Sequence, residues 1–333
     1  VNNPKKPLKT ELHHWWPRTL ADHWVAPDQM VSVIAPNGKI KRAPAGQFGA
    51  ITNAHHMKMG GPWDSTFEPI FNQPDGEIGN FVDWLSTLEA SITGSDRPMV
   101  ERILAQPLPE DRRLQLARIT ASLLARSPRI RHVIRRTTSA YQANFGVPAT
   151  KVDKTLIALN QQHLYDAYRA PMETSGRWAI LFGDSREFIA GDGFFHNFPA
   201  SANAVHSGRK LILPILPTIT IAYMLPMSHP SEPSLVTLRV DSDETGRLNE
   251  LVQVYASKFL FFRTEQPDLL PVYAADGHRE FRYHRHDWAD MLLDDLSQYN
   301  NWGEGGSPAI ARRRQFSRWL DGDGLLDRLG GDW

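Results

Sequence analysis

The residues best placed to do chemistry in this sequence are a few carboxylates, paired histidines and a run of arginines. The stretch "GDSREFIAGDGFF", Gly183 to Phe195, holds Asp184, Glu187 and Asp192 inside apolar surroundings. Asp192 falls where a strand "EFIAGD" should end, a position at which a rigid scaffold presents an acceptor to an open loop. The competing reading is an Asx-turn that satisfies the loop's own amides. Asp184 and Glu187 read as residues of a hairpin tip.

There are 13 histidines, with doublets at His13-His14 and His55-His56, and with His196 and His206 after the Asp192 loop. Imidazoles converging with carboxylates suit zinc or iron, so a divalent metal is compatible with this set. Successive residues on a strand point to opposite faces, so each doublet is expected to offer one ligand and not two. Packing against neighbours is the competing role; His14, beside Trp15-Trp16, reads equally as an imidazole stacked on indole. No HExxH occurs.

Eight arginines fall between Arg112 and Arg136, and no acidic residue occurs from Arg112 to Val152. Planar guanidinium forks bind phosphates bidentately, so this segment predicts a phosphate or nucleic-acid face. Counter-charge for ordinary helix packing is also present in "VDSDET" and "HDWADMLLDD". No Phe, Tyr or Trp interleaves with the arginines before Tyr141, which gives base stacking little support. Glu77 sits in the expected first turn of a helix, where a carboxylate is favoured by the helix dipole without chemical duty. P-loop, dinucleotide and GxSxG signatures are missing.

Several kinds of element must position these groups. "MVSVIAPNGKIKRAP" predicts a hairpin turning at Asn37-Gly38. Ile78, Phe81, Val82, Leu85 and Leu88 recur at helical spacing after Asp75-Gly76-Glu77. Two or three helices follow from Met99 to Tyr141, broken at Pro107–Pro109 and near Ser127-Pro128, and another runs from Leu156 to Tyr168. "RWAILFG", "REFIAG", "KLILPIL" and "TITIAYML" then read as strands. "RLNELVQVYASKFLFF" returns to a helix feeding a strand. The order predicts an α+β fold, a helical bundle packed against a small, mostly antiparallel sheet, and not a doubly wound one. Residues 1–12 are expected to form a flexible basic arm, 13–300 one domain, and 301–333 a tail with a short helix.

The chain has 333 residues, 41% of them apolar, which is ample for a packed interior. Its 37 basic and 37 acidic residues balance, so any attraction to nucleic acid or membrane must be local. The absence of cysteine removes disulfides and thiolate chemistry. No apolar run approaches the ~20 residues of a membrane helix, and no signal-peptide core follows the N-terminal lysines. A cytoplasmic protein with no membrane partner is expected; the oligomeric state is left open.

Taken in order, several runs resemble the bacterial domain-of-unknown-function family 4238. "HWWP" supplies His14 and Pro17 of its N-terminal segment, and Glu68 and Glu77 sit near its paired glutamates. "ARSPRIR" is similar to its helix junction and gives Arg126, Pro128 and Arg129. "RWAILFGDSREFIAGDGFF" resembles its W…F-I-T-S-D-N-P stretch, with Ala190-Gly191 and Gly193-Phe194 as departures. Asn249 matches an Asn that precedes a helix. The resemblance runs from His14 to about Phe262 and implies a fold framework without an assigned reaction.

Together these readings predict an intracellular bacterial hydrolase or phosphodiesterase acting on a phosphate-bearing or nucleic-acid substrate. His14, Glu77 and Asp192 are the expected catalytic residues. Arg126, Arg129 and Asn249 are the expected substrate-binding residues. The alternatives are a non-catalytic module that binds a ligand or partner through the arginine-rich face, and a structural or regulatory component.

Overall fold

The computed structural model describes residues 9–57, 65–90, 99–144, 154–198, 208–226, 231–274 and 287–298. The expected tail from 301 lies outside these residues, as do His206 and the first eight positions of the expected N-terminal arm. Among the described residues, no helix is long and apolar enough to cross a membrane.

The fold is α+β. Six strands form the larger sheet in the order Phe195–His196, Arg209–Leu216, Ile219–Leu225, Arg177–Gly183, Leu235–Val240, Leu104–Gln106. Every neighbouring pair is antiparallel except Arg177–Gly183 with Leu235–Val240. Alternate side chains of this sheet enter two separate cores. Trp178, Ile180, Leu211, Leu213, Ile221 and Tyr223 face one, and Ala179, Leu181, Ile212, Ala222, Val236 and Leu238 face the other. Helices cover both faces, which is why these strands read as continuous apolar runs rather than as an alternation.

The first face carries α1 (Asn72–Thr87), α2 (Glu110–Arg126), α3 (Pro128–Asn144) and α4 (Lys154–Thr174). In α1 the buried face is Ile78, Phe81, Val82 and Leu85, as the periodicity predicts, although the helix begins one turn before Asp75. Leu88 is extended and ends it. Glu110 and Asp111 lie in the first turn of α2, where the dipole favours them. From Gln115 to Arg126 every residue of α2 except Arg118 is buried, so this helix is the axis of the bundle. Ser127 breaks the run in extended geometry, its hydroxyl accepts the Ile130 amide, and Pro128 opens α3.

On the second face lie α5 (Ser242–Tyr255) and α6 (Asp287–Gln298). A capping box starts α5, with the Asp241 carboxylate accepting the Glu244 amide and Glu244 accepting the Asp241 amide. The chain then passes into the strand Leu260–Phe262, as the sequence predicts. That strand belongs to a four-stranded sheet, ordered Ile40–Pro44, Met30–Ile34, Leu260–Phe262, Ala190–Gly191. The predicted hairpin is its outer half, and Gly38 supplies the positive φ of 75° in its turn.

The expected strand "REFIAG" shortens to Ala190–Gly191. The Ile189 amide is taken by the Asn249 side chain and the Phe188 amide by the Pro217 carbonyl, so neither joins a ladder. Past it, Gly193 lies so close to its neighbours that an added Cβ would be 2.3 Å from the Tyr255 carbonyl oxygen and 2.9 Å from Arg129 Cβ. In α1, by contrast, nothing lies within 4 Å of a Cβ added at Gly76.

Opposite effects of the same substitution follow. Gly76→Ala is expected to stabilise the protein by about 0.5–1 kcal/mol, the helix-interior difference between the two residues. Gly193→Ala is expected to destabilise it by about 1–3 kcal/mol through overpacking. Urea unfolding of both variants checks the pair, and equal midpoints would contradict the packing described at Gly193.

Candidate imidazole and carboxylate site

The N-terminal strand Leu12–His14 pairs antiparallel with Ala50–Thr52. Alternation on this strand sends His13 inward, 2% exposed, and leaves His14 on the other side, where its Nε2 lies 3.3 Å from the Gly46 carbonyl. After Thr52 the chain turns at Asn53, which adopts φ 53°. The Asn53 amide donates to the Glu11 carbonyl at 2.8 Å, and the Asn53 side-chain oxygen accepts the Glu11 amide at 2.9 Å. Asparagine tolerates this left-handed geometry because its short polar side chain bonds locally.

His55 follows in the turn, ahead of the short strand His56–Met57, so the strict alternation of a strand does not separate the doublet. Both imidazoles of His55 and His56 are buried at 1% exposure. His55 stacks on His13 with ring centroids 4.9 Å apart, and His56 meets His13 edge-on at 4.7 Å. The expectation of one inward histidine per doublet is therefore corrected here. His13-His14 obeys it, and His55-His56 does not.

Two carboxylates complete the group. Glu68 opens a 3₁₀ turn, Glu68–Phe71, and its Oε2 contacts Nδ1 of His55. Glu11, 55% exposed, places Oε2 at 3.5 Å from His13 Nε2 and 3.4 Å from His56 Nε2. The backbone amide of His55 donates to Nδ1 of His13 at 3.0 Å, which fixes that ring. Nε2 of His13 is buried and finds no hydrogen-bond partner among the described residues.

Burial pushes the pKa of His13 and of His55 down, and the charge of Glu68 only partly offsets it. For Glu68, burial opposes ionisation, but the bond to His55 and the charges of His55, His13 and Arg126 hold its carboxyl below the usual range. Both directions give the same state at neutral pH: neutral imidazoles beside an ionised Glu68. Arg131, on α3, donates to the Ala54 carbonyl at 2.7 Å, one residue before His55. Burial and then the charge of Arg135 push the Arg131 pKa down.

The residues expected from the sequence take other places. Glu77 lies on α1 and is held by a two-point pair with Arg118, at 2.8 and 3.0 Å. Arg126 is buried at the end of α2; it pairs with Asp75, donates to the His14 carbonyl and stacks over Phe71 at 4.8 Å. Asp192 is wholly buried, and its carboxylate accepts the amides of Ser257 at 2.6 Å and Lys258 at 3.0 Å. Burial pushes its pKa up, against those amide donors. The Asp192 carbonyl accepts the Arg129 amide, which ties α3 to this loop. Asn249 clamps the same loop by accepting the Ile189 amide and donating to the Glu187 carbonyl. Glu187, expected as a hairpin residue, instead anchors Arg263 and Thr264. His196 is half-buried against Tyr168 and Phe198.

Among the six expected residues, Arg126 acts on the imidazole group through its charge on His55 and Glu68, while His14 adjoins His13 in the chain but directs its ring to the Gly46 carbonyl. The group itself combines His13, His55 and His56, which the sequence shows as doublets, with Glu68, one of the paired glutamates of the resemblance, and Glu11. Spacing alone does not single out His13, because His13 and His14 each stand two positions from a buried tryptophan, Trp15 and Trp16. No family model matches the chain, and no curated protein or solved structure matches it either.

Asp192→Asn replaces one of two acceptor oxygens by an amide donor facing backbone N–H groups. It is expected to cost about 1–3 kcal/mol of stability in urea unfolding, and an unchanged midpoint would contradict the role given to Asp192. His196 is half-buried, and its partial burial, with the charge of Arg129, pushes its pKa down from 6.5 to about 4. The unfolded chain therefore takes up the proton first. The stability tied to His196 is complete above pH 6.5 and is lost as the pH falls towards about 4, by up to about 3 kcal/mol. His196→Phe should flatten that part of the pH–stability curve; a curve of unchanged slope would refute the assignment.

Proposed function

We propose that the protein is a cytoplasmic bacterial hydrolase acting on a phosphate-bearing substrate, a phosphodiester or nucleic acid, and that its reacting centre is the imidazole and carboxylate group at His13, His55, His56, Glu11 and Glu68. The observation that carries this reading is the convergence of three imidazoles and two carboxylates from three separate segments, residues 11–13, 55–56 and 68. Outright structural duty would call for fewer titratable groups in one place, since buried ionisable side chains are costly unless paired.

In this reading Glu68 holds the Nδ1 proton of His55, which leaves Nε2 as the basic nitrogen that takes a proton from attacking water. Arg131, beside Ala54, and the exposed Arg135 on the same face of α3 supply positive charge for a phosphate. Arg126 positions the centre by joining the His14 carbonyl to Asp75 and does not reach substrate. The order of motifs shared with family 4238 supports placing the chain beside that family, again as a proposal. The non-catalytic binding module remains the second reading, favoured by the arginines of α3, and it predicts affinity for oligonucleotides without turnover.

Turnover of bis(p-nitrophenyl) phosphate and of labelled oligonucleotides, with and without added divalent cations, tests the proposal. His55→Ala is expected to lower kcat by about 10²–10⁴-fold, while His14→Ala leaves it unchanged. Binding without cleavage of any of these substrates would favour the second reading. Equal turnover by His55→Ala would remove the centre from the reaction.

A further inference from the structure

We propose that a cavity between the start of α2 and the end of α4 binds a small phosphorylated polyol of the sugar-phosphate class, with Arg113 as the group that holds its phosphate. The cavity measures about 260 Å³, and Arg113, Thr174, Ser175, Ser231 and Ser234 line it. Thirteen positions separate Arg113 from Arg126 on α2, about 20 Å of helix, so the cavity is distinct from the imidazole group that Arg126 positions.

Arg113 belongs to the arginine-rich segment whose composition predicts a phosphate face. Its neighbours on α2 are committed elsewhere: Arg118 to Glu77, Arg126 to Asp75, and Arg112 to Gln115 and the ring of Trp84. Arg113 is half-buried, and its guanidinium has no hydrogen bond or ion pair among the described residues. Its charge reaches Tyr223: burial pushes the pKa of that hydroxyl up, and the charges of Arg209 and Arg113 offset the rise in part. The Tyr223 hydroxyl lies 3.3 Å from the carbonyls of Pro171 and Ser175, so the guanidinium faces the cavity and the end of α4. A cation in this turn also stands at the positive end of the α2 dipole, where the helix by itself disfavours it.

The rest of the lining separates into donors and acceptors. The hydroxyls of Ser231 and Ser234 have no partner among the described residues, so both are open to donate to phosphate oxygens beside the guanidinium fork. The Thr174 and Ser175 hydroxyls already donate to the Ala170 and Pro171 carbonyls, at 3.3 and 3.0 Å. Their protons are committed, and their lone pairs are left to accept from hydroxyls of the ligand. A phosphate, with three accepting oxygens, uses the fork and two serines more fully than a carboxylate does, and the acceptors call for a hydroxyl-bearing skeleton. Glu232, on the exposed rim, adds a further acceptor. Its charge is opposed by Arg113 and by the buried Arg177, which donates to the Glu232 and Pro233 carbonyls at 2.7 Å. The volume lies below the roughly 300–1,000 Å³ of sites for drug-sized ligands, which suits a monosaccharide phosphate. None of the described lining residues is aromatic, so a nucleobase has no platform to stack on.

Calorimetric titration of the full chain with glucose 6-phosphate, inorganic phosphate and glucose tests the site. One glucose 6-phosphate per chain is expected, with inorganic phosphate bound about tenfold more weakly and no saturable binding of glucose. Arg113→Gln is expected to weaken glucose 6-phosphate at least about tenfold, and Ser234→Ala by about threefold to tenfold. Arg113→Gln removes a side chain without a protein partner, so its thermal melt should match that of the wild type. Arg135→Gln, on α3, is expected to leave the affinity unchanged. Wild-type protein that binds no glucose 6-phosphate, or Arg113→Gln that binds it as tightly as wild type, would overturn the site. Binding lost through Arg135→Gln and kept by Arg113→Gln would move the phosphate to the imidazole group and overturn it as well. The site does not rest on the hydrolase reading: glucose 6-phosphate bound through Arg113 by a chain that cleaves no phosphodiester would establish the one and refute the other.

Discussion

The guanidinium of Arg126 is a cation taken almost entirely out of water, at 2% exposure, and the site depends on what neutralises it. Its fork reaches Asp75 in the first turn of α1 and the carbonyl of His14 on the N-terminal strand, over the face of Phe71. Removing one partner of such a buried pair is far more costly than the pair is stabilising, on the order of 3–5 kcal/mol. The interaction therefore acts as a constraint. It fixes the end of the axial helix α2, the start of α1 and the strand carrying His13 in one mutual arrangement. The rings of Phe67 and Phe71 fill the space between them and touch His55 at 4.7 and 5.3 Å.

A second set of constraints holds the other half of the molecule. Asp192 accepts amides at the junction of α5 and the strand Leu260–Phe262, while Asn249 clamps the loop from Glu187 to Ile189. Both are polar groups that replace sheet ladder bonds with side-chain bonds, where the backbone leaves the larger sheet for the smaller one. Such groups look functional in a sequence because they are polar in an apolar context. In the fold they satisfy amides that would otherwise be buried without partners.

The imidazole group differs in kind. It holds more hydrogen-bonding capacity than the surrounding backbone uses, at the edge of the core, next to an exposed glutamate and the arginines of α3.

Sequence alone determined the α+β class, the helices α1 to α5, the Asn37-Gly38 hairpin and the break at Ser127-Pro128, because local periodicity and turn chemistry specify these over a few residues. It also marked histidine doublets and an arginine-rich segment. Which member of each doublet points inward was decided by tertiary structure: strand alternation at His13-His14, and the left-handed turn at Asn53 that puts His55 and His56 on one side. The roles of Asp192, Glu77 and Asn249 were likewise decided by partners far away in the chain, Ser257, Arg118 and Ile189. A side chain's chemistry is written in its own residue, but its duty is set by whichever groups the fold leaves within about 3 Å of it.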